Sequence, residues 1–111
     1  MQNSIQSVHW PAVVKLKSDD ELIFILDALQ FDHYVTLNLL HTQPEDLLID
    51  ATGVEYRFDG KLTQQIIRTE RLWSLHEVLE MLRRHLSSNG ACCVAKFYAN
   101  SIPEAMMNVF G

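Results

Sequence analysis

Glycine is scarce in this 111-residue chain, with Gly53, Gly60, Gly90 and Gly111 as its four copies. None stands in a Walker loop or a G-x-G-x-x-G turn, so neither kind of phosphate cradle is encoded. Cysteine is confined to one adjacent pair, Cys92-Cys93. A bridge between neighbours needs a distorted backbone, and the spacing is not the C-x-x-C of thiol oxidoreductases. Apolar runs such as Leu22–Leu26 and Leu47–Ile49 are strand-sized and fall far short of the roughly 20 residues of a membrane helix. The opening residues, Met1 to Ser7, carry neither a basic n-region nor an apolar h-region, which makes a cytoplasmic protein the expectation. The chain also lacks a G-x-S-x-G elbow, an H-E-x-x-H helix and an EF-hand loop.

Basic charge is the next shortage. Nine Lys and Arg stand against 14 Asp and Glu, a net −5. Residues 1–60 carry three bases against ten acids, and residues 61–111 carry six against four. A protein that neutralises several phosphates usually has a basic surface, so nucleic acid is not an expected partner. The acidic front and mildly basic back are read as complementary to one another.

What is present is an ordinary globular balance, 48% hydrophobic and 21% charged, in a length that suits one domain. No repeat or Ser/Gly/Pro-rich linker divides it. In Ala12–Lys17, Val14 and Leu16 alternate with Lys15 and Lys17, the period of a half-buried strand. The turn residues Ser18-Asp19-Asp20 and the apolar run Glu21–Leu26 complete a hairpin. The stretch 27–43 is ambiguous. Asp27 or Asp32 as a cap, with Leu29, Phe31, Tyr34, Val35 and Leu39, favours a helix for much of it, while Val35–Leu39 also alternates like a strand. Leu47–Asp50 and Val54–Phe58 read as strands about a turn at 51–53. Asp59-Gly60 signals a two-residue hairpin loop that returns a third strand over Lys61–Ile67.

The best-specified element starts at Ser74. Ser74-Leu75-His76-Glu77 is a capping box, and Trp73 with Val78 fits the hydrophobic staple. Leu75, Val78, Leu79, Leu82 and Leu86 mark one apolar helical face, and Arg83, Arg84 and His85 offset the helix dipole before the Asn89-Gly90 stop. Ala91–Tyr98, apolar on both faces, reads as a central strand. Ser101-Ile102-Pro103-Glu104 opens a short helix with Ile102, Met106, Val109 and Phe110 as its stripe. The fold class is α+β: a small antiparallel sheet built from hairpins, packed against a long capped helix (about 74–88) and a short C-terminal helix.

Few residues suggest chemistry. On a strand, Cys92 and Cys93 point to opposite faces, so they do not share a metal, and they read first as small buried apolar residues. The juxtaposition the topology offers is His85 with Cys92 or Cys93 across one turn, a thiol–base or metal pair. His76 and Glu80 share a helix face without two further ligands, and Glu80 is better placed to pair with Arg84. The carboxylates Asp19, Asp20, Glu21, Glu45 and Asp46 fall on turns, where solvent keeps acid pairs from splitting their pKa values. The basic group Lys61, Arg68, Arg71, Arg83 and Arg84, with Trp73 among it, has the composition of a protein-binding surface. Met106-Met107 is an adaptable terminal segment that more simply closes the core.

Two segments, Trp10-Pro-Ala-Val-Val-Lys-Leu-Lys17 and Cys92-Cys-Val-Ala-Lys-Phe97 before Ser101-Ile102, resemble a family of small uncharacterised bacterial proteins of about this length. The resemblance spans nearly the whole chain. It implies a stand-alone bacterial domain and carries no catalytic or binding residue with it. The leading expectation is a non-enzymatic cytoplasmic protein-interaction or regulatory domain contacting its partner through Arg71, Trp73, Arg83 and Arg84. The alternative is a thiol-dependent or metal-binding protein using His85, Cys92 and Cys93. Neither cofactor, nucleic acid nor membrane is expected; self-association through a sheet edge or the C-terminal helix is compatible with both readings.

Overall fold

A computed structural model of the protein describes residues 7–16, 20–37, 46–58, 66–91 and 94–111. Strand β1 (Ala12–Lys15) pairs antiparallel with β2 (Leu22–Ile25), Val14 opposite Ile23, forming the first hairpin. β3 (Leu47–Ile49) joins the other side of β1 and turns into β4 (Val54–Phe58), which pairs with β5 (Ile66–Leu72). The resulting sheet has the order β2-β1-β3-β4-β5. Helix α1 (Ala28–Leu37) follows β2, α2 (Leu75–Ser88) follows β5, and α3 (Ile102–Phe110) ends the chain. The fold is α+β. No helix among the described residues is long and apolar enough to cross a membrane.

Strand alternation divides the apolar residues between two cores. On one sheet face Val14, Leu48, Tyr56, Phe58 and Ile66 pack with Phe31 and Val35 of α1. On the other, Val13 and Ile49 pack with Val78 and Leu82 of α2 and with Ala105 and Met106 of α3. The ambiguous stretch is therefore helical through Leu37, including Val35-Thr36-Leu37. Asp27 decides it locally, its carboxylate accepting the Gln30 N–H at 2.9 Å, and tertiary burial of Phe31 and Val35 outweighs the strand-like alternation.

Asp50 organises the β3–β4 turn. It is fully buried, and its carboxylate accepts the N–H groups of His9, Thr52 and Val54 at 3.0, 2.9 and 3.1 Å and the Thr52 hydroxyl at 2.7 Å. These four donors compensate the desolvation of a buried charge. The same turn brings Gly53 to φ +89°, and its carbonyl accepts the Trp73 N–H at 2.7 Å. A Cβ at Gly53 would collide with the Trp73 carbonyl oxygen, so glycine is required both by φ and by this close approach.

Helix α2 has the caps that its sequence specifies. Ser74 accepts the Glu77 N–H at 3.1 Å and Glu77 accepts the Ser74 N–H at 2.9 Å. At the other end Gly90, at φ +87°, donates to the Ser87 carbonyl while Ala91 donates to that of Leu86, a Schellman stop. Helix α3 is capped by Ser101, which accepts the Glu104 N–H at 3.3 Å.

Two expectations are corrected. Phe58 lies opposite Ile66, with seven residues between the paired positions, so the register is not the one a two-residue Asp59-Gly60 loop would set. β5 is Ile66–Leu72, against the strand expected over Lys61–Ile67, and residues 59–65 lie outside the described residues. A strong turn dipeptide was outweighed by the fit of Ile66 into the core beside Phe58. The segment Ala91–Tyr98 is also not a central strand: Val94–Lys96 form a 3-10 turn outside the sheet. Its backbone is satisfied differently, the Phe97 carbonyl accepting two N–H groups of the Arg83 guanidinium at 3.2 and 2.7 Å.

Ser74→Ala should destabilise the protein by about 1 kcal/mol through the lost cap. Gly53→Ala should cost more, since the left-handed backbone alone costs an alanine about 1–2 kcal/mol before the clash with Trp73 is counted. Urea titrations of both variants check the ranking, and equal midpoints would show that the Gly53–Trp73 contact is dispensable.

Candidate functional site

The β4–β5 ladder is interrupted beside α2. Tyr56 pairs with Arg68 but Val54 pairs with Leu72, so Thr69, Glu70 and Arg71 together oppose Glu55. Two extra residues on β5 make a bulge, and Glu70 at its apex takes φ +76°. A non-glycine residue in that region is held there by its surroundings. The holding group is Glu55, buried on the sheet face toward α2. One of its carboxylate oxygens accepts the Thr69 hydroxyl and the other the Trp73 indole N–H, both at 2.8 Å. Thr69 Oγ1 in turn accepts the Arg71 N–H at 3.2 Å, closing the bulge.

This geometry aims Arg71. Its guanidinium lies 4.0 Å from the centroid of the Trp73 ring, and its nitrogens lie 3.8 Å from Glu55 and 3.3 Å from Glu77. Stacking on an indole and two flanking carboxylates leave the cation half-exposed but oriented. The Ser74 N–H that Glu77 accepts holds its carboxyl below the usual carboxylate range, with Arg71 adding to the effect. A cavity of about 260 Å³ opens beside this stack, lined by Arg71, Trp73, His76, Glu77, Glu80 and Arg84. Glu80 is bound to Arg83 at 2.7 Å rather than to Arg84, the expected partner. His76 and Arg84 are consequently without a hydrogen-bond or ion-pair partner among the described residues.

Of the four basic-surface residues singled out by sequence, the structure gathers Arg71, Trp73 and Arg84 around one cavity and directs Arg83 to the Phe97 carbonyl. Trp73 is 8% exposed, so it supports Arg71 from below rather than projecting as an anchor. His85 is buried, and its Nδ1 accepts the Leu22 N–H at 3.0 Å while its ring packs on Phe110. An N–H can only donate, so the imidazole proton sits on Nε2 and the Nδ1 lone pair is already used. Cys92 and Cys93 lie outside the described residues. Among the described residues, no group of three His, Cys, Asp or Glu is placed to hold a metal ion.

Sequence reasoning passed over Glu55 and Thr69. The alternation Val54-Glu55-Tyr56-Arg57-Phe58 assigns Glu55 and Arg57 to the same face, and only Arg57 remains exposed there. What buries Glu55 is Trp73, 18 residues later. Chemically, the site presents oriented cations beside an apolar floor, and the Glu55 oxygens that could act on a proton are occupied by donors.

Glu55→Gln replaces one acceptor oxygen by an NH2 facing a donor, and should cost about 1–3 kcal/mol while changing Trp73 fluorescence. A variant equal to wild type in both would remove Glu55 as the support of the bulge. Glu77 has a depressed carboxyl in the folded state, so its contribution is full above the ordinary carboxylate range and is lost as pH falls through the folded value. Wild type and Glu77→Gln should therefore converge in thermal stability on acidification, and a constant difference down to pH 3 would contradict this assignment.

Comparison with known proteins bears on the fold. No curated protein matches the sequence. A solved structure, described as the NMR structure of the protein from Shewanella amazonensis, superposes with a TM-score of 0.73 at 18% identity, covering 94% of this chain and 90% of that one. At this identity the likeness establishes a shared architecture. A family model covers residues 10–109, nearly the whole chain and the full extent of the bulge and its cavity. The chain belongs to the DUF4144 family, described as a protein structure with unknown function.

Proposed function

We propose that the chain is a non-enzymatic cytoplasmic protein-interaction domain, and that it receives an acidic segment of its partner where Arg71, His76 and Arg84 surround the cavity beside α2. The observation that carries this reading is the clamped Arg71. Its guanidinium is fixed by the Trp73 ring and Glu77, so little side-chain freedom remains to be lost on binding. Arg84 on the same cavity has no carboxylate of its own among the described residues. An oriented arginine on an aromatic ring is a pairing enriched at interface centres. Recognition runs through side chains, because the bulge breaks the register that an added strand would need. The presence of two cysteines in 111 residues fits a compartment where thiols stay reduced.

The test is affinity purification from the native host with wild type and with Arg71→Glu combined with Arg84→Glu. Arg84 is exposed and without an ion-pair partner among the described residues, so Arg84→Glu alone should shift stability by less than about 1 kcal/mol. Arg71→Glu sets a third carboxylate beside Glu55 and Glu77 and should destabilise. Recovery is therefore compared with the single Arg84→Glu variant, at a temperature where circular dichroism shows both variants folded. At least one partner should fall tenfold in recovery with the variant. A partner set unchanged by the double substitution would overturn this surface.

A further inference from the structure

Among the described histidines His85 alone is buried, and it is not one of the residues lining the Arg71 cavity. It serves the far edge of the sheet instead. β2 has β1 on one side and, among the described residues, no strand on the other, so the outward Leu22 N–H needs an acceptor from elsewhere. Leu22 is buried as well, which keeps bulk water from filling that role. His85 Nδ1 fills it at 3.0 Å. The Asn89 side-chain nitrogen, oriented by its bond to the His85 carbonyl at 2.9 Å, stands 3.5 Å from the same Nδ1. Two donors converge on one lone pair, so the ring is neutral with its proton on Nε2.

A neutral imidazole can hold Leu22; an imidazolium cannot. When a proton from water adds to Nδ1, the lone pair becomes an N–H bond that faces the Leu22 and Asn89 donors. The buried Leu22 N–H then has no acceptor until the ring or the strand moves. The ring does not move alone. Phe110 packs on His85 with centroids 5.1 Å apart, and stacks on Phe24 at the same 5.1 Å. A displaced imidazole therefore acts on β2 twice, at Leu22 directly and at Phe24 through Phe110. The bond belongs to the neutral ring, so it is present at higher pH and lost as pH falls.

Charged groups of both signs stand on the neighbouring elements. Asp20 and Glu21 precede Leu22, and Lys15 lies opposite it on β1. Arg84 is next along α2, Lys96 is on the 3-10 turn, and Glu104 is on α3, where it accepts the Asn100 N–H at 3.1 Å. Carboxylates near a ring favour proton uptake and cations oppose it. Such groups move the pH of the change and leave its consequence at Nδ1 the same.

We propose that His85 is an acid-sensitive latch on the edge strand: the neutral ring ties β2 to α2 through the Leu22 N–H, and proton uptake at Nδ1 releases that tie and loosens β2 from α2. Global stability is a poor readout, because His9 Nδ1 lies 3.8 Å from the buried Asp50 carboxylate and gains attraction on protonation, the opposite sign. The experiment follows imidazole nitrogen shifts and amide exchange together on the isotope-labelled full chain, from about pH 8 to about pH 5, a range that brackets ordinary histidine titration. At the upper end the shifts should show the Nε2–H tautomer and a protected Leu22 amide. As His85 takes up its proton, Leu22 exchange, corrected for its intrinsic pH dependence, should rise at least about tenfold, the scale of one lost hydrogen bond. The Phe24 and Phe110 ring signals should move in step, while amides in the middle of α2 keep their protection. In His85→Gln, whose amide oxygen accepts without titrating, Leu22 exchange should lose this pH dependence; the wild-type readings stand without the variant. An Nδ1–H tautomer at pH 8, an imidazole still neutral at pH 5, or a Leu22 amide equally protected on both sides of the His85 titration would overturn the proposal. So would wild-type pH dependence of Leu22 in folded His85→Gln.

Discussion

Glu55 lies on the sheet face toward α2, and its two oxygens accept the Thr69 hydroxyl and the Trp73 indole N–H at 2.8 Å each. The first bond shapes the bulge that lifts Glu70 into a left-handed conformation, and the second fixes the indole on which Arg71 stacks. Trp73 is also the residue whose N–H reaches Gly53 and which immediately precedes the α2 capping box. The β3–β4 turn, the end of β5 and the start of α2 thus meet at one buried carboxylate. Its desolvation is tolerable because each oxygen has a donor and Arg71 stands nearby.

Both edges of the sheet are blunted, by different means. β5 is kinked by its bulge, and β2 has two outward N–H groups tied to His85 and Gln30. Native sheets use such devices against indiscriminate strand pairing. Among the described residues, these devices leave little backbone open to a further strand at either edge.

Much of the fold was legible because its signals are local. Ser74 and Glu77 sit three residues apart, Asn89-Gly90 ends an unbroken helical stripe, and Val14 alternates with lysines; each needs only near neighbours to be read. Where the sequence misleads, distant partners decide. Asp59-Gly60 is a strong turn dipeptide, yet the register follows Ile66 into the core beside Phe58. Ala91–Tyr98 is apolar enough for a strand, yet Arg83 takes the Phe97 carbonyl that a ladder would have used. The candidate site shows the same division. Arg71, Trp73 and Arg84 stand out by residue type, but Glu55 looks like an ordinary outward-facing strand residue until Trp73 covers it. Arg83, chemically identical to Arg84 and adjacent to it, has a structural role because helical rotation turns it toward the 94–100 segment.

The strand order has a consequence for how the molecule approaches others. The acid-rich β2–α1 end and the β5 edge that carries Arg68 and Arg71 are four strand spacings apart, about 19 Å. Arg68 and Arg71 are offset by Glu55, Glu70 and Glu77, so that edge is close to neutral. The excess of acids in residues 18–56 leaves the charge unevenly distributed about the molecule's centre, which is the equivalent of a dipole. In the field of a charged neighbour such a dipole experiences a torque before any contact forms, so collisions are not randomly oriented. Added salt shortens the range of that alignment to about 8 Å at physiological strength, comparable with the last approach of two surfaces.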